Sequence, residues 1–517
     1  MSNAKAGEPT SRLQTILILL CVSVPSFMIN LDSNIVAVSL SSIARSFRAD
    51  FADIEWVISA YTLTFASLLL PAGAIADRYG RKRALQIGLV TFTFASFVCG
   101  AAPSVAILNG ARALQGVGAA LLSSSALAML AHEFHGAARA RAFAFWGSVV
   151  GVGMTLGPVA GGFITQHFGW EWSFYINIPV GVVMIPLVAR VVTDSRDPKA
   201  GRLDIPGFLT FSSSLFLTTL ALISANREGW GSRVILGELA AALVLFAVFV
   251  AAELKQTRPM LDLRFFRNPT YIGASIASVA YAASLLTMLT YLPMYFQSGL
   301  GFDAQTAGLL MLPLAIPLFV VPRIAVAHLA HRFSGRALLT AGLAFVGAGV
   351  LWMAFVALRF DYGAVVGGMV IAGIGAGILN GEIAKVGMTV IPPERAGMAG
   401  GMAATQRFSG VVIGFAALGA LLYERISATV AAYPDTPIAD RTVFAREIAA
   451  GHMPAASQHA LYDIALRSFG AAYQAIFLAA AGLAALAALT SWLLIRRNDT
   501  APVQKVTRVV SQPQPAE

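Results

Sequence analysis

Apolar residues fall into fourteen long runs separated by short polar stretches, at 15–40, 55–76, 84–103, 105–131, 140–166, 171–193, 205–224, 233–252, 270–297, 303–327, 337–358, 363–390, 398–423 and 470–495. A helix needs about 20 apolar residues to cross the hydrocarbon core of a bilayer. Its backbone is satisfied internally, so lipid tolerates it. The pattern therefore predicts an all-α membrane protein with about fourteen transmembrane helices. An even number places both termini on one side. One connection is long: residues 424–469 are polar and Ala-rich with Pro434, Pro437 and Pro454, and predict an outer loop with a short hairpin or amphipathic helix. The tail after Asn498 predicts disorder.

Two turns echo each other. Residues 73–83 read Gly-Ala-Ile-Ala-Asp-Arg-Tyr-Gly-Arg-Lys-Arg, and residues 327–336 read Ala-His-Leu-Ala-His-Arg-Phe-Ser-Gly-Arg. Both place Arg and an aromatic ring before a later Gly and Arg, with His331 where the first turn has Asp77. Such repetition predicts a duplicated architecture. A terminal tail, 1–14, leads into a six-helix half, 15–193. Two intervening helices follow, 205–252, then a second six-helix half, 270–495, and a tail, 496–517.

Composition excludes the soluble classes. Hydrophobic residues make up 57% of the chain, charged residues 12%, and mean hydropathy is +0.72. A soluble domain carries roughly 25% charged residues, so most of this surface must meet the lipid bilayer. The net charge of +10 does not imply nucleic acid, because the cations sit in short loops and form no basic face. Twenty-three of the 36 basic residues fall on the side of the termini, which predicts cytoplasmic termini in a cell inner membrane. Nine fall on the other side, four of them in the long loop, and long loops translocate largely regardless of charge. Cys21 and Cys99 lie in apolar runs and read as buried free thiols. The first run has no small-residue cleavage site and is expected to open the bundle.

Several segments carry mechanism. The first run contains Leu31-Asp32-Ser-Asn34-Ile-Val, and the first loop Gly73, Asp77, Arg78, Gly80, Arg81 and Lys82. The fourth carries Arg112-Ala-Leu-Gln115-Gly116-Val-Gly118, the fifth Gly153-Met-Thr-Leu-Gly157-Pro158-Val-Ala-Gly161-Gly162. Then come Trp170-Glu171-Trp172 with Asn177 and Pro179, and Tyr291-Leu-Pro-Met-Tyr-Phe-Gln297 before Gly308 and Pro313. In this order, over about 15–423 and the last run, they resemble the fourteen-helix drug:proton antiporter branch (EmrB/QacA type) of the major facilitator superfamily. The resemblance implies secondary active export of amphiphilic drugs or toxic small molecules in exchange for protons, by alternating access. A major facilitator exporter or symporter of a single endogenous metabolite or siderophore is the alternative.

Each segment has a physical reading. Asp77 ends the second helix ahead of a tight Gly80 turn and a cation cluster. Pairing with a neighbouring helix in one conformation, and losing that pairing in the other, makes a bistable gate; an inside-positive topology signal is the plainer reading. Gly153, Gly157 and Gly161 at four-residue spacing form a small-residue face for close helix approach. Pro158 removes a backbone donor, and the resemblance makes this helix the antiporter signature.

An intramembrane charge is a functional candidate. Asp32 and Arg112 lie at similar depths, about 12 Å and about 10 Å from the outer helix ends at 1.5 Å per residue. Burial raises a carboxylate's pKa and a nearby Arg lowers it. Asp32 is therefore read as the proton-binding carboxylate tuned by Arg112, against the plainer reading of a permanent structural pair. Glu382 and Lys385 share a helix face, with Arg407 at similar depth on the next helix. They read as a self-neutralised cluster, or with Glu382 as a second proton or cation site.

Asn34, Tyr61, Gln115, Trp146 and Gln297 are expected to line an apolar cavity suited to varied amphiphiles. Three departures from the family pattern stand out: Asn34 replaces a usual Thr, Glu171 a usual Arg, and the tenth run lacks a carboxylate. The last argues against dicationic substrates. No GxxxxGK[ST] occurs, so energy must come from an ion gradient or from partners. His132 and His135 lack a third ligand, so neither a metal site, a cofactor nor an enzyme is expected. No residue points to a periplasmic adaptor.

Overall fold

A computed structural model describes residues 12–134, 136–196, 204–256, 259, 261–329, 332–391, 396–434, 436 and 438–500. His135, His331 and most of both tails lie outside the described residues. Among the described residues, fourteen helices are long and apolar enough to cross a membrane. The first half comprises α1 (Leu13–Phe47), α2 (Phe51–Tyr79), α3 (Arg81–Gly100), α4 (Val105–Leu130), α5 (Arg141–Phe168) and α6 (Trp172–Val191). Helices α7 (Ile205–Ala225) and α8 (Arg233–Lys255) follow. The second half comprises α9 (Pro269–Gly299), α10 (Ala304–Ile324), α11 (Gly335–Arg359), α12 (Tyr362–Met388), α13 (Gly400–Ala431) and α14 (His459–Leu494).

Short polar turns start these helices. Asp50 accepts from the Asp53 amide at 2.9 Å to open α2, and Ser104 from the Ile107 amide at 3.4 Å to open α4. Asp303 accepts from the Thr306 amide at 2.7 Å to open α10, and Asp361 from the Gly363 amide at 2.9 Å to open α12. Each cap satisfies a donor that lacks an intrahelical partner.

The packing repeats between the halves. In the first, α1 packs on α5, α2 on α4, α3 on α4 and α6; in the second, α9 packs on α13, α10 on α12, α11 on α12 and α14. Helices α7 and α8 pair with each other, and α7 docks against α2 and α13. Apolar side chains such as Val182, Leu243, Val244, Phe355 and Leu493 face outward. On a soluble protein such a surface would aggregate; here it is the lipid-facing wall of a multi-pass membrane protein.

Helix ends differ from the apolar runs. Helix α13 continues to Ala431 and α14 begins at His459, so the expected loop 424–469 shortens to about 432–458. Arg425, Asp463 and Arg467 ride on helical turns that extend past the apolar core, where water and protein accept their charge. Within the loop, the helix Arg441–Ala449 is capped by Asp440 and buries Phe444, Ala445, Ile448 and Ala449. Helix α12 breaks at Asn380 and Gly381, where Gly381 takes φ 97°.

Candidate functional site

Asp32 lies in the middle of α1 with its side chain fully withdrawn from solvent, as is that of Arg112 on α4. Arg112 Nη1 donates to Asp32 Oδ2 at 2.7 Å. The other carboxylate oxygen accepts from Gln115 Nε2 at 2.9 Å and Asn177 Nδ2 at 2.8 Å. Both oxygens of the buried carboxylate are thus engaged, from α4 and α6. Arg112 is anchored in turn: its Nε donates to the Val57 carbonyl at 2.9 Å and its Nη1 to Gln115 Oε1 at 2.6 Å. Its guanidinium carbon lies 4.2 Å from the Tyr61 ring centroid, a cation–π contact inside the bundle. Gln115 Nε2 also donates to Ser96 Oγ at 2.9 Å, which ties α3 to the network.

Five helices therefore converge on the network around one buried ion pair. Breaking such a pair leaves an uncompensated charge and costs 3–5 kcal/mol as an order of magnitude.

Of the expected cavity residues, Gln115 and Tyr61 belong to this buried network. Asn34 donates to the Asn30 carbonyl at 2.8 Å and packs against Gly157. Trp146 donates to Ser26 Oγ at 2.9 Å, linking α5 to α1. Gln297 donates to the Val38 carbonyl at 2.9 Å and so bridges α9 to α1. Polar side chains in lipid-embedded helices bond to neighbours, and a single sequence does not show which neighbour is in reach.

The small-residue face of α5 meets α1. A Cβ on Gly153 would stand 3.0 Å from the Phe27 carbonyl oxygen, and one on Gly161 2.8 Å from Ile35 Cα. A Cβ on Gly157 would collide with Asn34 Cβ. Pro158 and Gly162 face the other way. The Pro158 carbonyl abuts Gly308, and Gly162 abuts Ala304 of α10. Helix α5 therefore touches both halves, with Gly serving each contact.

In the first loop, Asp77 accepts from Arg81 Nε at 2.9 Å and Nη2 at 2.8 Å. The pair lies inside the motif and ties the end of α2 to the first residue of α3. Gly80 takes φ 119° and its amide donates to Ala76 O. A Cβ there would collide with the Asp194 carboxylate. Arg81 N donates to Ser195 O at 3.0 Å and Lys82 Nζ to Ala189 O at 2.7 Å. The turn thus wraps the end of α6. Arg78 lies over the ring of Tyr79, and Gly73 against Ser124 of α4.

Glu382 and Lys385 form an ion pair at 2.9 Å just past the break in α12. Glu382 is buried and Lys385 half exposed. Arg407 makes no ion pair with them among the described residues. Arg323 caps the ring of Phe319 and reaches Ser148 of α5 at 3.3 Å.

The chain belongs to the Major Facilitator Superfamily, which it matches over residues 22–415; the members of this class are transporters. Among its relatives, the multidrug resistance protein Stp of Mycobacterium tuberculosis is 35% identical over 82% of this chain and 79% of that protein. The multidrug efflux pump LfrA of Mycolicibacterium smegmatis is 30% identical over 96% of this chain and 100% of that one. The tetracenomycin C resistance and export protein of Streptomyces glaucescens is 32% identical over 79% and 76%. In fold, the chain resembles a crystal structure of a bacterial homolog of the human lysosomal transporter Spinster, inward-facing and unoccupied, with TM-score 0.62 at 16% identity over 95% and 99%.

Proposed function

We propose that this protein exports amphiphilic drugs or other toxic small molecules in exchange for protons, by alternating access, with both termini in the cytoplasm of a bacterial inner membrane. The observation that carries the reading is the Asp32–Arg112 pair, fully buried between α1 and α4 and engaged on both carboxylate oxygens. A purely structural role needs no charge at that depth, where charges are costly and mark ion pathways. The names of relatives that span most of the chain support export of drugs and antibiotics over a single metabolite.

In this reading a proton binds Asp32 and releases Arg112. The freed guanidinium rearranges on Gln115 and the Val57 carbonyl. The halves then rock about the α1–α5 and α2–α4 packing, and the proton leaves on the other side. The Asp77–Arg81 turn is the gate in this cycle, and the Glu382–Lys385 pair serves as a neutral brace at the α12 break.

The test is transport by purified protein in liposomes under an imposed pH difference, with a fluorescent amphiphilic cation as substrate. Accumulation that collapses with a protonophore is the expected result. Accumulation indifferent to the pH difference would remove proton exchange from the mechanism.

A further inference from the structure

The halves meet along a seam at the ends of the helices away from the termini. Gln297 reaches Val38 there, and His167 Nε2 meets Gln305 Oε1 at 2.9 Å. A third contact holds a carboxylate. Glu55, in the second turn of α2, is only 2% exposed. Its Oε1 has no hydrogen-bond partner, and no ion pair reaches it among the described residues. It points across the seam. A Cβ built on Gly419 of α13 would overlap Glu55 Oε1 and stand 2.9 Å from the Tyr291 hydroxyl of α9.

Among the described residues, the surrounding groups offer no counter-charge. Tyr291 donates its hydroxyl proton to the Phe415 carbonyl at 2.7 Å, and Tyr473 of α14 donates to the Tyr291 carbonyl at 3.0 Å. Asp50, just before α2, adds charge of the same sign. Arg112 of α4 is committed to Asp32. Helix α7 presents Phe216 to the neighbouring Trp56. On α13, Glu424 and Arg425 lie exposed beyond Gly419. The loop helix carries Arg441, Arg446 and Glu447, and Arg441 donates to the carbonyls of Tyr433 and Pro434.

We propose that Glu55 is a second proton-binding group, separate from Asp32, that locks this seam: the seam is closed when Glu55 carries a proton and opens when it ionises. An ionised carboxylate buried without a partner costs several kcal/mol, whereas its neutral acid costs far less. Ionisation therefore requires water, and at Glu55 water enters only if α13 and α9 withdraw from α2. The proton exchanges with water on the far side. Gly419 is small because the carboxyl occupies the space where its side chain would be. The inference rests on the alternating-access reading and adds a group that senses pH on one face only.

Spin labels at Ala101 and Ala432, both exposed on the far side, report the seam distance in detergent, with Cys21 and Cys99 replaced by serine. No gradient or substrate is needed, so this measurement is independent of whether export is proton-driven. In the otherwise native protein, the open-to-closed ratio should rise at least about tenfold with pH, one pKa unit's worth of coupling. Glu55→Gln mimics the neutral acid and should hold the closed distance at every pH. Glu55→Asp, which keeps an ionisable group, should restore a pH response with a displaced midpoint. Asp32→Asn can reset the baseline ratio by freeing Arg112, but as long as Glu55 is present the ratio should still rise with pH. A Glu55→Gln protein that opens with pH like its parent would overturn the proposal, as would an Asp32→Asn protein that alone loses the response.

Discussion

At the scale of single residues, the buried network divides its members by the geometry each supplies. Arg112 gives one nitrogen to Val57 and another to both Asp32 and Gln115. A lysine offers one point charge in place of this planar fork. Arg112→Lys should fold yet lose at least about tenfold in export rate, since hydrogen bonds to charged groups contribute about 1.5–3 kcal/mol each. Initial rates in liposomes check this; a native rate would show that only the charge matters. Asp32→Asn should abolish gradient-driven export, while downhill efflux of preloaded substrate and the melting temperature remain near native. Full gradient-driven activity in that variant would remove Asp32 from the mechanism. The two charges were legible in the sequence because Asp and Arg are rare within apolar runs. Asn177 was not, since an Asn at the start of a run reads equally well as a helix cap. Glu55 was not, because an acidic residue beside Trp56 at the head of a span reads as interfacial. Only its place opposite Gly419 shows that it is enclosed.

At the scale of helices, glycine decides how near two backbones come. Gly161 sits against the Ile35 backbone, so any side chain there forces α5 away from α1. Gly161→Leu should cost more than the about 1–3 kcal/mol typical of overpacking, because backbone has to move. It should reduce folded yield, read as the monodisperse fraction on size exclusion, whereas substitution at lipid-facing Leu243 should not. Gly80 poses a different constraint. Its φ of 119° is one that side chains rarely adopt, and Gly80→Ala should cost about 1–3 kcal/mol of backbone strain besides displacing Asp194. A thermal shift of the purified variant reads that loss. The number and order of the helices were legible because hydropathy over about 20 residues reports lipid contact directly. Their ends were less so: Arg425 and Arg467 stop an apolar run but not a helix. The break at Asn380 and Gly381 was likewise hidden, since Gly is common in membrane helices that stay straight.

At the scale of the whole molecule, two halves that pack internally in the same pattern meet where α2 packs on α13 and α5 on α10, through apolar and Gly contacts joined by polar bridges at the ends away from the termini. Those polar ends are suited to separate and reform as the halves rock. The resemblance to a major facilitator bundle was legible from the order of its motifs, but the seam was not, because its partners lie far apart in the chain. His167 and Gln305 meet across it at the ends of α5 and α10. Cysteines at these two positions, bridged by a short cleavable bis-thiosulfonate, should hold the seam shut. Cys21 and Cys99 are fully buried and should not compete for the reagent. Bridged protein in liposomes should transport at background rate, and a reductant that cleaves the bridge should restore the rate of the unbridged double variant. A bridge at either position alone, with no partner cysteine, should do nothing. Because the bridge touches neither Asp32 nor Arg112, loss of transport would come from blocked separation of the halves. Bridged protein that still transports at full rate would mean that substrate crosses without the seam opening, and alternating access would fail with it.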